Sequence, residues 1–549
     1  MKYRFPIIVL FLVIIALQSF LIGANPAEFP DDEFLKVVTI FTNDIHGGIA
    51  RTEAGFINPD FPPILGNGAA AVYYINGVRE EAKENGWGVL LFDAGDIFQG
   101  TPVGTLSKGE AIIDFMNIAG YDAVCIGNHD FDLGWQNLKK LSEQANFPLL
   151  GANIYYYSTG KIVEFATPYI IKEIQGIKIG IIGVCTTVTP SLSFPEHIKD
   201  IDFKAEVPTI RYWLPKMRAE GAQIIIMVNH TWLPYDPEKG YLEMLGKIKN
   251  GDDFTGRGVN SQEIAHAIPG IDIIFSGHIH KGFNDPWEEP DNHTLIFQNY
   301  ANGTNLGHVN FFIHRKTGTL AGYNYVCDGS AIFTLFEDDF FSDTTTARVI
   351  ENWVKKAEVG FDEIIGIAKG NFMRSNEGES AIGNLVTDAT RIRVNADIAF
   401  TNYGGIRADL SAGHIMPRNL FTVMPFGNRI VVFNVTGKFI KSLIEDKVKG
   451  NSRGMLVSGC KIVIDRSRPD GNRVKEFFVN GESIDEEKIY RLAVSDYLAE
   501  GNSGYGRLTE VPIKKINYTG ILIRQALIDY VKRNSPIIPH VDGRWQEKD

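Results

Sequence analysis

Five short apolar runs in the first half of the chain each end in residues that can bind a metal ion. Runs of this length, rich in β-branched residues and bounded by glycine, are typical of buried strands. Apolar residues at helical spacing lie between several of them, at 69–84 and 110–119. Alternating strands and helices predict an α/β fold, whose functional site lies beyond the carboxyl ends of the strands. The runs and the polar residues after them are 37–41 with Asp44 and His46, 89–92 with Asp96, 123–126 with Asn128, 224–228 with His230, and 271–275 with His278 and His280.

These polar residues together form a donor set for two divalent ions. Mixed nitrogen and oxygen donors suit zinc, manganese, cobalt or iron, and they disfavour calcium and magnesium. A carboxylate can bridge two ions, and Asp96, which follows the turn at Gly95, is the expected bridge. Each motif alone is weak evidence, because a single histidine at a strand end is usually structural. Their joint occurrence, in order and after successive strands, favours a dinuclear centre with zinc or manganese as the first candidates.

The ordered motifs resemble those of the calcineurin-like metallophosphoesterases and, within them, the 5′-nucleotidase and UDP-sugar hydrolase family. They are N-D-x-H-G from Asn43, D-A-G-D-x-F-Q-G from Asp93, G-N-H-D-F-D from Gly127, N-H from Asn229 and S-G-H-x-H from Ser276. The resemblance extends from about Val37 to the end of the chain. It implies an α/β protein with an N-terminal four-layer α/β-β/α metallophosphoesterase sandwich and a smaller C-terminal α/β nucleotide-binding domain.

The resemblance also distributes the candidate ligands between two ions. Asp44, His46, Asp96 and His280 are expected to hold one ion, and Asp96, Asn128, His230 and His278 the other. Hydroxide activated by the ions would attack phosphorus. His129 is expected to stabilise the developing charge or to protonate the leaving oxygen, and Asp132 to orient its imidazole. Asp130 replaces the glutamate common in the family and, as a non-ligand, is expected to matter little.

A second group of candidates lies in the C-terminal part of the chain and would bind substrate. Asn402 and Arg407, in N-Y-G-G-I-R, resemble the family's substrate-binding N-G-G-G-x-R. Phe426 and Tyr497 match the two family positions whose aromatic rings enclose a base. Arg374 is the candidate for a further family arginine, although its spacing is longer. Ser503 stands where the family often has an aspartate that contacts ribose.

We expect four segments along the chain. They are a signal peptide at 1–24, a metallophosphoesterase domain at 36–330, an acidic linker with a connector helix at 331–363, and a substrate-binding domain at 364–549. The connector helix is expected at 347–359. The polar, glycine-rich segment 234–258 is expected to form a surface loop.

The N-terminus and the net charge bear on location and partners. Lys2 and Arg4 precede the apolar run 6–17, which is typical of an export signal cleaved near Ala24. The alternative is an uncleaved anchor; otherwise no stable membrane insertion is expected. A periplasmic or extracellular location follows. The net charge of −12 argues against a nucleic acid polymer as partner, so the expected partner is a small nucleotide substrate.

The leading functional hypothesis is hydrolysis of nucleoside 5′-monophosphates, with UDP-sugars as further candidate substrates. A 2′,3′-cyclic nucleotide 2′-phosphodiesterase with 3′-nucleotidase activity is the nearest alternative, because it shares the metal motifs. Hydrolases of sulfur compounds are a more distant one. A non-catalytic surface binding protein is disfavoured, because such a protein needs neither the complete ligand set nor the pair His129 and Asp132.

Overall fold

The computed structural model of the chain describes residues 29–54, 57–58, 61–193, 195–327 and 329–548. The signal peptide predicted at 1–24 lies outside these residues. Within the described ranges, none of the helices has both the length and the apolar character needed to cross a membrane.

Two β-sheets stack face to face in the first half of the chain. Apolar side chains of both inner faces, including Phe41, Phe92, Phe275 and Phe311, form one buried layer between them. In spatial order, the first sheet contains Leu320–Tyr325, Asn305–His314, Phe34–Thr42, Gly88–Asp93, Ala123–Cys125 and Leu149–Leu150, with Ile332–Thr334 paired to Asn305–His314. The second contains Trp287–Glu288, Leu295–Gln298, Ile273–Ser276, Ile224–His230, Ile177–Cys185 and Tyr169–Ile174.

Helices cover the outer face of each sheet, and a buried apolar cluster fills each interface. The first sheet is covered by Asn67–Asn85, Pro102–Leu106, Glu110–Ala119, Trp135–Gln144 and Thr344–Ala357. The second is covered by Glu206–Ala219, Pro237–Lys249 and Ser261–Ala267. The order helix, sheet, sheet, helix confirms the predicted four-layer α/β class.

Parallel pairing brings the predicted strand ends to one edge of the sandwich. In the first sheet Phe34–Thr42 runs parallel to Gly88–Asp93, which runs parallel to Ala123–Cys125. In the second, Ile224–His230 runs parallel to Ile273–Ser276. Because parallel strands end at the same edge, the loops that follow them can share one site.

The chain from Gly366 onward builds two smaller sheets. The five-stranded sheet contains, in order, Leu456–Ser458, Ile398–Thr401, Ile489–Ser495, Arg429–Thr436 and Ile516–Leu522. The four-stranded sheet contains Glu482–Ser483, Val474–Val479, Cys460–Asp465 and Trp545–Lys548. The helices are Ala381–Arg393, Pro417–Val423, Gly437–Lys447, Asp496–Ala499 and Ile523–Asn534.

Short two-stranded pairs and the short helix Pro195–Ile198 add to the described fold. The pairs join Thr52–Glu53 with Ile64–Leu65, Ile154–Tyr156 with Ile201–Phe203, and Gly366–Ala368 with Gly413–Ile415. The apolar clusters of this second half draw on residues from Ile365 onward, whereas those of the first half draw on residues up to Ile350. The segment boundaries at 330 and 364 stay a prediction.

The prediction of a surface loop at 234–258 is wrong. Pro237–Lys249 is a helix, and the side chain of Asp236 caps it by accepting a hydrogen bond from the backbone N–H of Lys239. Gly240, which suggested a loop, has a packing role, because a Cβ there would lie 2.5 Å from Cγ of Pro234. The connector helix predicted at 347–359 is found at Thr344–Ala357.

Candidate metal centre

Six of the seven predicted ligands meet at the sheet edge in two groups of three. The groups are Asp44 with His46 and His280, and Asp96 with His230 and His278; in each, one ligand atom per residue lies within 4.8 Å of the others. Asn128, the seventh, is buried in the adjoining loop. The next residue, His129, donates its backbone N–H to Oδ1 of Asp96 at 2.7 Å.

The two groups adjoin each other through their carboxylates. Oδ2 of Asp96 lies 3.0 Å from Nε2 of His230 and 3.9 Å from Nε2 of His46, which belong to different groups. Oδ1 of Asp44 lies 3.5 Å from Nε2 of His280 and 4.0 Å from Nε2 of His230. Both carboxylates therefore face both groups, and the assignment of Asp96 as the bridge stays a prediction.

Backbone carbonyls fix the orientation of two imidazoles. Nδ1 of His46 lies 2.6 Å from the carbonyl oxygen of Gln99, and Nδ1 of His230 lies 2.6 Å from that of Ala94. Because a carbonyl oxygen only accepts, each Nδ1 carries a proton, and in the neutral imidazole each Nε2 then keeps its lone pair. The lone pairs are thus directed at the carboxylates, as in histidines that hold a metal.

Several donor atoms of the centre lack a protein partner. Oδ1 of Asp44, Oδ1 of Asn128, Nε2 of His230 and Nδ1 of His278 are buried and make no hydrogen bond. Buried polar atoms are nearly always satisfied, so four orphans in one place indicate a bound cation. Burial also lowers the pKa of His46 and of His278 to about 3, which keeps both imidazoles in the neutral, ligating form. The residues present fit a pair of divalent transition-metal ions.

Five of the candidate ligands adopt a left-handed backbone conformation. Their φ angles are 50° for Asp44, 47° for His46, 61° for Asp96, 82° for His278 and 58° for His280. This conformation costs a residue with a Cβ atom on the order of 1 kcal/mol. The left-handed conformation allows the chain to turn sharply directly after the strands. Such a concentration of unfavourable conformations is typical of functional sites.

His129 and Asp132 form the predicted pair beside the centre. Nδ1 of His129 lies 2.8 Å from Oδ2 of Asp132. Burial opposes protonation of His129, but the charges of Asp132 and Asp96 outweigh it and raise the pKa of the imidazole. The ring is thus oriented by a carboxylate and favoured in its cationic form, which suits contact with a phosphoryl group.

The structure gives Asp130 a structural part that its sequence position did not indicate. Its carboxylate is buried and accepts three backbone hydrogen bonds, from Gly127 at 2.8 Å, Asp96 at 3.1 Å and Ile97 at 2.9 Å. These donors belong to the two loops that carry Asp96 and Asn128. The expectation that Asp130 matters little is therefore not supported, because it joins both loops.

The predicted substrate residues divide into two sets. Arg407 and Phe426 reach the centre itself: Nη2 of Arg407 lies 3.4 Å from Nε2 of His280, and its guanidinium carbon lies 5.6 Å from the centre of the Phe426 ring. Phe426 in turn lies against His129, with ring centres 5.4 Å apart and an angle of 25° between the planes.

The other predicted substrate residues contact one another or Arg407. The side-chain amide of Asn402 donates to Oγ of Ser503 at 3.3 Å, and Ser503 donates to the hydroxyl of Tyr497 at 3.4 Å. Arg374 supports Arg407, because its Nη1 donates to the carbonyl of Arg407 at 2.6 Å. Its role as a direct substrate contact stays a prediction.

Two further residues of the site have no assignment from the sequence. Gln99 is buried, and its side-chain amide donates to the carbonyl of Pro425 at 3.4 Å. Arg524 donates to the carbonyls of Met424 at 2.8 Å and Pro425 at 3.1 Å. The sequence could have indicated Gln99, because it lies inside a recognised motif. It could not have indicated Arg524, which lies on a helix with no motif around it.

Comparison with known proteins agrees with this geometry. Residues 37–282 match the family described as calcineurin-like phosphoesterase, and residues 363–510 match the 5′-nucleotidase C-terminal domain. Protein UshA of Escherichia coli (strain K12) is 26% identical, over 95% of this chain and 95% of that protein. The 5′-nucleotidase of Vibrio parahaemolyticus is 27% identical, over 94% of this chain and 92% of that protein. The crystal structure of the 5′-nucleotidase precursor from Thermus thermophilus shares the fold, with a TM-score of 0.78 and 24% identity over 93% of this chain and 99% of that one.

Proposed function

The chain belongs to the calcineurin-like phosphoesterases that carry a 5′-nucleotidase C-terminal domain, and from that membership we propose that it releases phosphate from nucleoside 5′-monophosphates with two divalent metal ions. The family is one of phosphoric ester hydrolases. The observation that supports the nucleotide proposal is the approach of Arg407 to within 3.4 Å of His280, because Arg407 is a candidate substrate-binding residue of the second half and lies beside the candidate metal centre.

The candidate ligands are proposed to hold the ions in two sets that share Asp96. The first set is Asp44, His46, Asp96 and His280, and the second is Asp96, Asn128, His230 and His278. When bound, a pair of such ions acidifies water and offsets negative charge on a phosphoryl group. Zinc and manganese are the first candidates for this donor set, with cobalt and iron next.

The chain's own residues would act on the substrate around that centre. Arg407 carries a planar, permanently charged fork that can pair with two phosphoryl oxygens. Nε2 of His129 is the nitrogen that Asp132 leaves available, so it can donate a proton to the leaving oxygen or a hydrogen bond to a phosphoryl oxygen. Asp132 would keep the imidazole oriented and protonated between turnovers.

The base and sugar would extend away from the centre along the second half of the chain. Phe426 and Tyr497 offer aromatic faces, on which a base stacks with about 1–3 kcal/mol per ring. Asn402 and Ser503 offer neutral hydrogen-bonding groups for the sugar. UDP-sugars are proposed as further substrates on the same contacts.

The polar chain formed by Asn402, Ser503 and Tyr497 favours one second candidate. These three side chains carry no carboxylate, so they offer no strong acceptor that would favour a sugar with free 2′ and 3′ hydroxyls. A 2′,3′-cyclic nucleotide has no free 2′ or 3′ hydroxyl, and its scissile phosphorus would lie at the metal centre. Hydrolysis of 2′,3′-cyclic nucleotides is therefore the second proposed activity.

The location is proposed from the sequence alone. Basic residues before the apolar run at 6–17 favour export to the periplasm or the cell exterior. Fractionation of cells that express the full chain tests this proposal, and recovery of the activity from the cytoplasmic fraction would contradict it.

A substrate panel after metal removal tests the proposed function. The protein is treated with a chelator and then supplied with manganese or zinc. Turnover of AMP and 4-nitrophenyl phosphate is measured as phosphate release, and turnover of UDP-glucose and 2′,3′-cyclic AMP as formation of their phosphomonoester products by chromatography. We expect no turnover before metal addition and the highest kcat/KM for AMP afterwards. A preference for 2′,3′-cyclic AMP would make hydrolysis of cyclic nucleotides the leading activity. Equal kcat/KM for AMP and 4-nitrophenyl phosphate would contradict nucleotide recognition.

A further inference from the structure

The imidazole of His129 is contacted by three side chains, of which only one makes a hydrogen bond to it. Asp132 holds its Nδ1 edge at 2.8 Å. The ring of His46 meets it at 62° with centres 5.6 Å apart. The ring of Phe426, which comes from the second half of the chain, covers one face at 5.4 Å and 25°. A near-parallel aromatic ring at this distance restricts rotation of the imidazole and keeps water from that face.

The loop that carries Phe426 is itself held from both halves of the chain. Arg524 donates to the carbonyls of Met424 and Pro425, the two residues before Phe426. From the other side, the side chain of Gln99 donates to the carbonyl of Pro425. Gln99 also accepts the hydrogen bond that fixes His46. The position of Phe426 is therefore tied to the same segment that orients a candidate ligand.

We propose that Phe426 is a positioning residue for His129, so that the second half of the chain contributes to the chemical step as well as to substrate affinity. The ring of Phe426 holds the plane of the imidazole and leaves Nε2 aimed at the substrate. This role is separate from stacking on a base, because it acts on any phosphoester that His129 serves. The proposal rests on the proposed phosphatase function, in which His129 contacts the substrate.

Turnover of a substrate without a base separates the two roles of Phe426. If Phe426 only stacked on a base, Phe426→Ala would leave kcat for 4-nitrophenyl phosphate unchanged. With the positioning role, we expect kcat for 4-nitrophenyl phosphate to fall about 10- to 100-fold, with little change in KM, as for a displaced catalytic group. Phe426→Tyr, which keeps the ring, should restore most of the rate. Metal content and thermal midpoint equal to those of the parent protein show that the variants are folded.

A double-mutant cycle identifies His129 as the group through which Phe426 acts. In a His129→Ala background, Phe426→Ala should cause no further loss of kcat for 4-nitrophenyl phosphate, because the positioned group is already gone. Tyr518→Ala serves as the matched control, since Tyr518 is an exposed aromatic residue of the same half. We expect it to leave kcat unchanged in both backgrounds.

Two results would overturn the inference. One is an unchanged kcat for 4-nitrophenyl phosphate in Phe426→Ala, and the other is an equal loss with and without His129. The same assays keep this inference apart from the nucleotide proposal. If 4-nitrophenyl phosphate shows the coupling while AMP is not preferred, the nucleotide proposal fails and the inference stands. If AMP is preferred and Phe426→Ala raises only its KM, the nucleotide proposal stands and the inference fails.

Discussion

Nδ1 of His129 lies 2.8 Å from Oδ2 of Asp132, and this contact leaves Nε2 as the only ring nitrogen that can reach a substrate. Substitutions in this pair separate effects on catalysis from effects on metal binding. His129→Ala should retain bound metal and slow turnover about 10²- to 10⁴-fold, the usual range for a positioned acid or charge stabiliser. Asp132→Asn should cost less, because Asp132 orients a group and does not itself react. Steady-state kinetics together with metal analysis of each variant measure this, and loss of metal in His129→Ala would make His129 a ligand.

The position of Asp96 between the two groups predicts a loss of metal when its side chain is removed. Its Oδ2 faces imidazoles of both groups, at 3.0 and 3.9 Å. Asp96→Ala should therefore bind fewer than about two ions per chain and show no measurable turnover. Elemental analysis after gel filtration gives the stoichiometry. A variant with full metal content and a near-normal rate would exclude a bridging role and point to Asp44 instead.

The three backbone hydrogen bonds of Asp130 predict that it is needed for a stable centre. In Asp130→Asn the amide has one accepting oxygen, and its NH₂ group would face a backbone N–H. A buried donor left unsatisfied costs roughly 1–3 kcal/mol. We expect a lower free energy of unfolding in urea and weaker metal binding by titration. Asp338→Asn, at an exposed carboxylate outside the candidate metal groups, is the control and should change neither quantity. Parent-like behaviour of Asp130→Asn would restore the expectation drawn from the sequence.

Removal of the Tyr497 ring tests whether it binds a base. Tyr497→Ala should weaken transition-state binding of AMP by about 1–3 kcal/mol, seen mainly in KM if stacking is equal in the ground and transition states. 4-Nitrophenyl phosphate, which has no base, should be much less affected. The ratio of kcat/KM values for the two substrates measures the effect. Equal losses for both would mean that the substitution acts through the fold.

The neutral side chain of Ser503 predicts how sugar preference can be shifted. Ser503→Asp introduces a carboxylate beside Asn402 and Tyr497. A carboxylate accepts stronger hydrogen bonds from free 2′ and 3′ ribose hydroxyls, which AMP has and 2′,3′-cyclic AMP lacks. We expect kcat/KM for AMP to rise relative to that for 2′,3′-cyclic AMP. Competition assays with both substrates report the ratio directly, and a fall in this ratio would place Ser503 away from the sugar.

Local patterns were sufficient to locate the candidate ligand residues and the strands that present them. Asp44, Asp96 and His230 each follow a run of apolar residues that is a strand in the structure, at Phe34–Thr42, Gly88–Asp93 and Ile224–His230. The signal is strong because a fully buried strand must be continuously apolar, so the polar residues at its end stand out. Resemblance to a family then supplied the four-layer arrangement.

Contacts between distant segments could not be read in the same way. The role of Asp130 depends on backbone N–H groups of Asp96 and Ile97, more than 30 residues earlier, and backbone donors leave no trace in residue identity. Gly240 looked like a loop residue, yet it is the small residue that a neighbouring proline requires. Arg524 holds carbonyls about 100 residues away, and nothing in its own helix indicates this. In each case the deciding partner is set by tertiary packing.

The left-handed backbone of the five candidate ligands bears on how such a protein would decay. At position 278 a glycine would relieve the unfavourable conformation and remove a buried Nδ1 that has no hydrogen-bond partner, so the folded chain without its ions would gain stability there. At Asp44 and Asp96, loss of the hydrogen bonds accepted from the backbone N–H groups of His278 and His129 would offset that relief. In a lineage freed from selection for the reaction, His278 should therefore turn to glycine or asparagine before Asp44 and Asp96 do. The strands that precede the candidate ligands, whose apolar residues form the core, should change last. An inactive descendant would then be recognisable by intact strands followed by turns that lack ligand side chains.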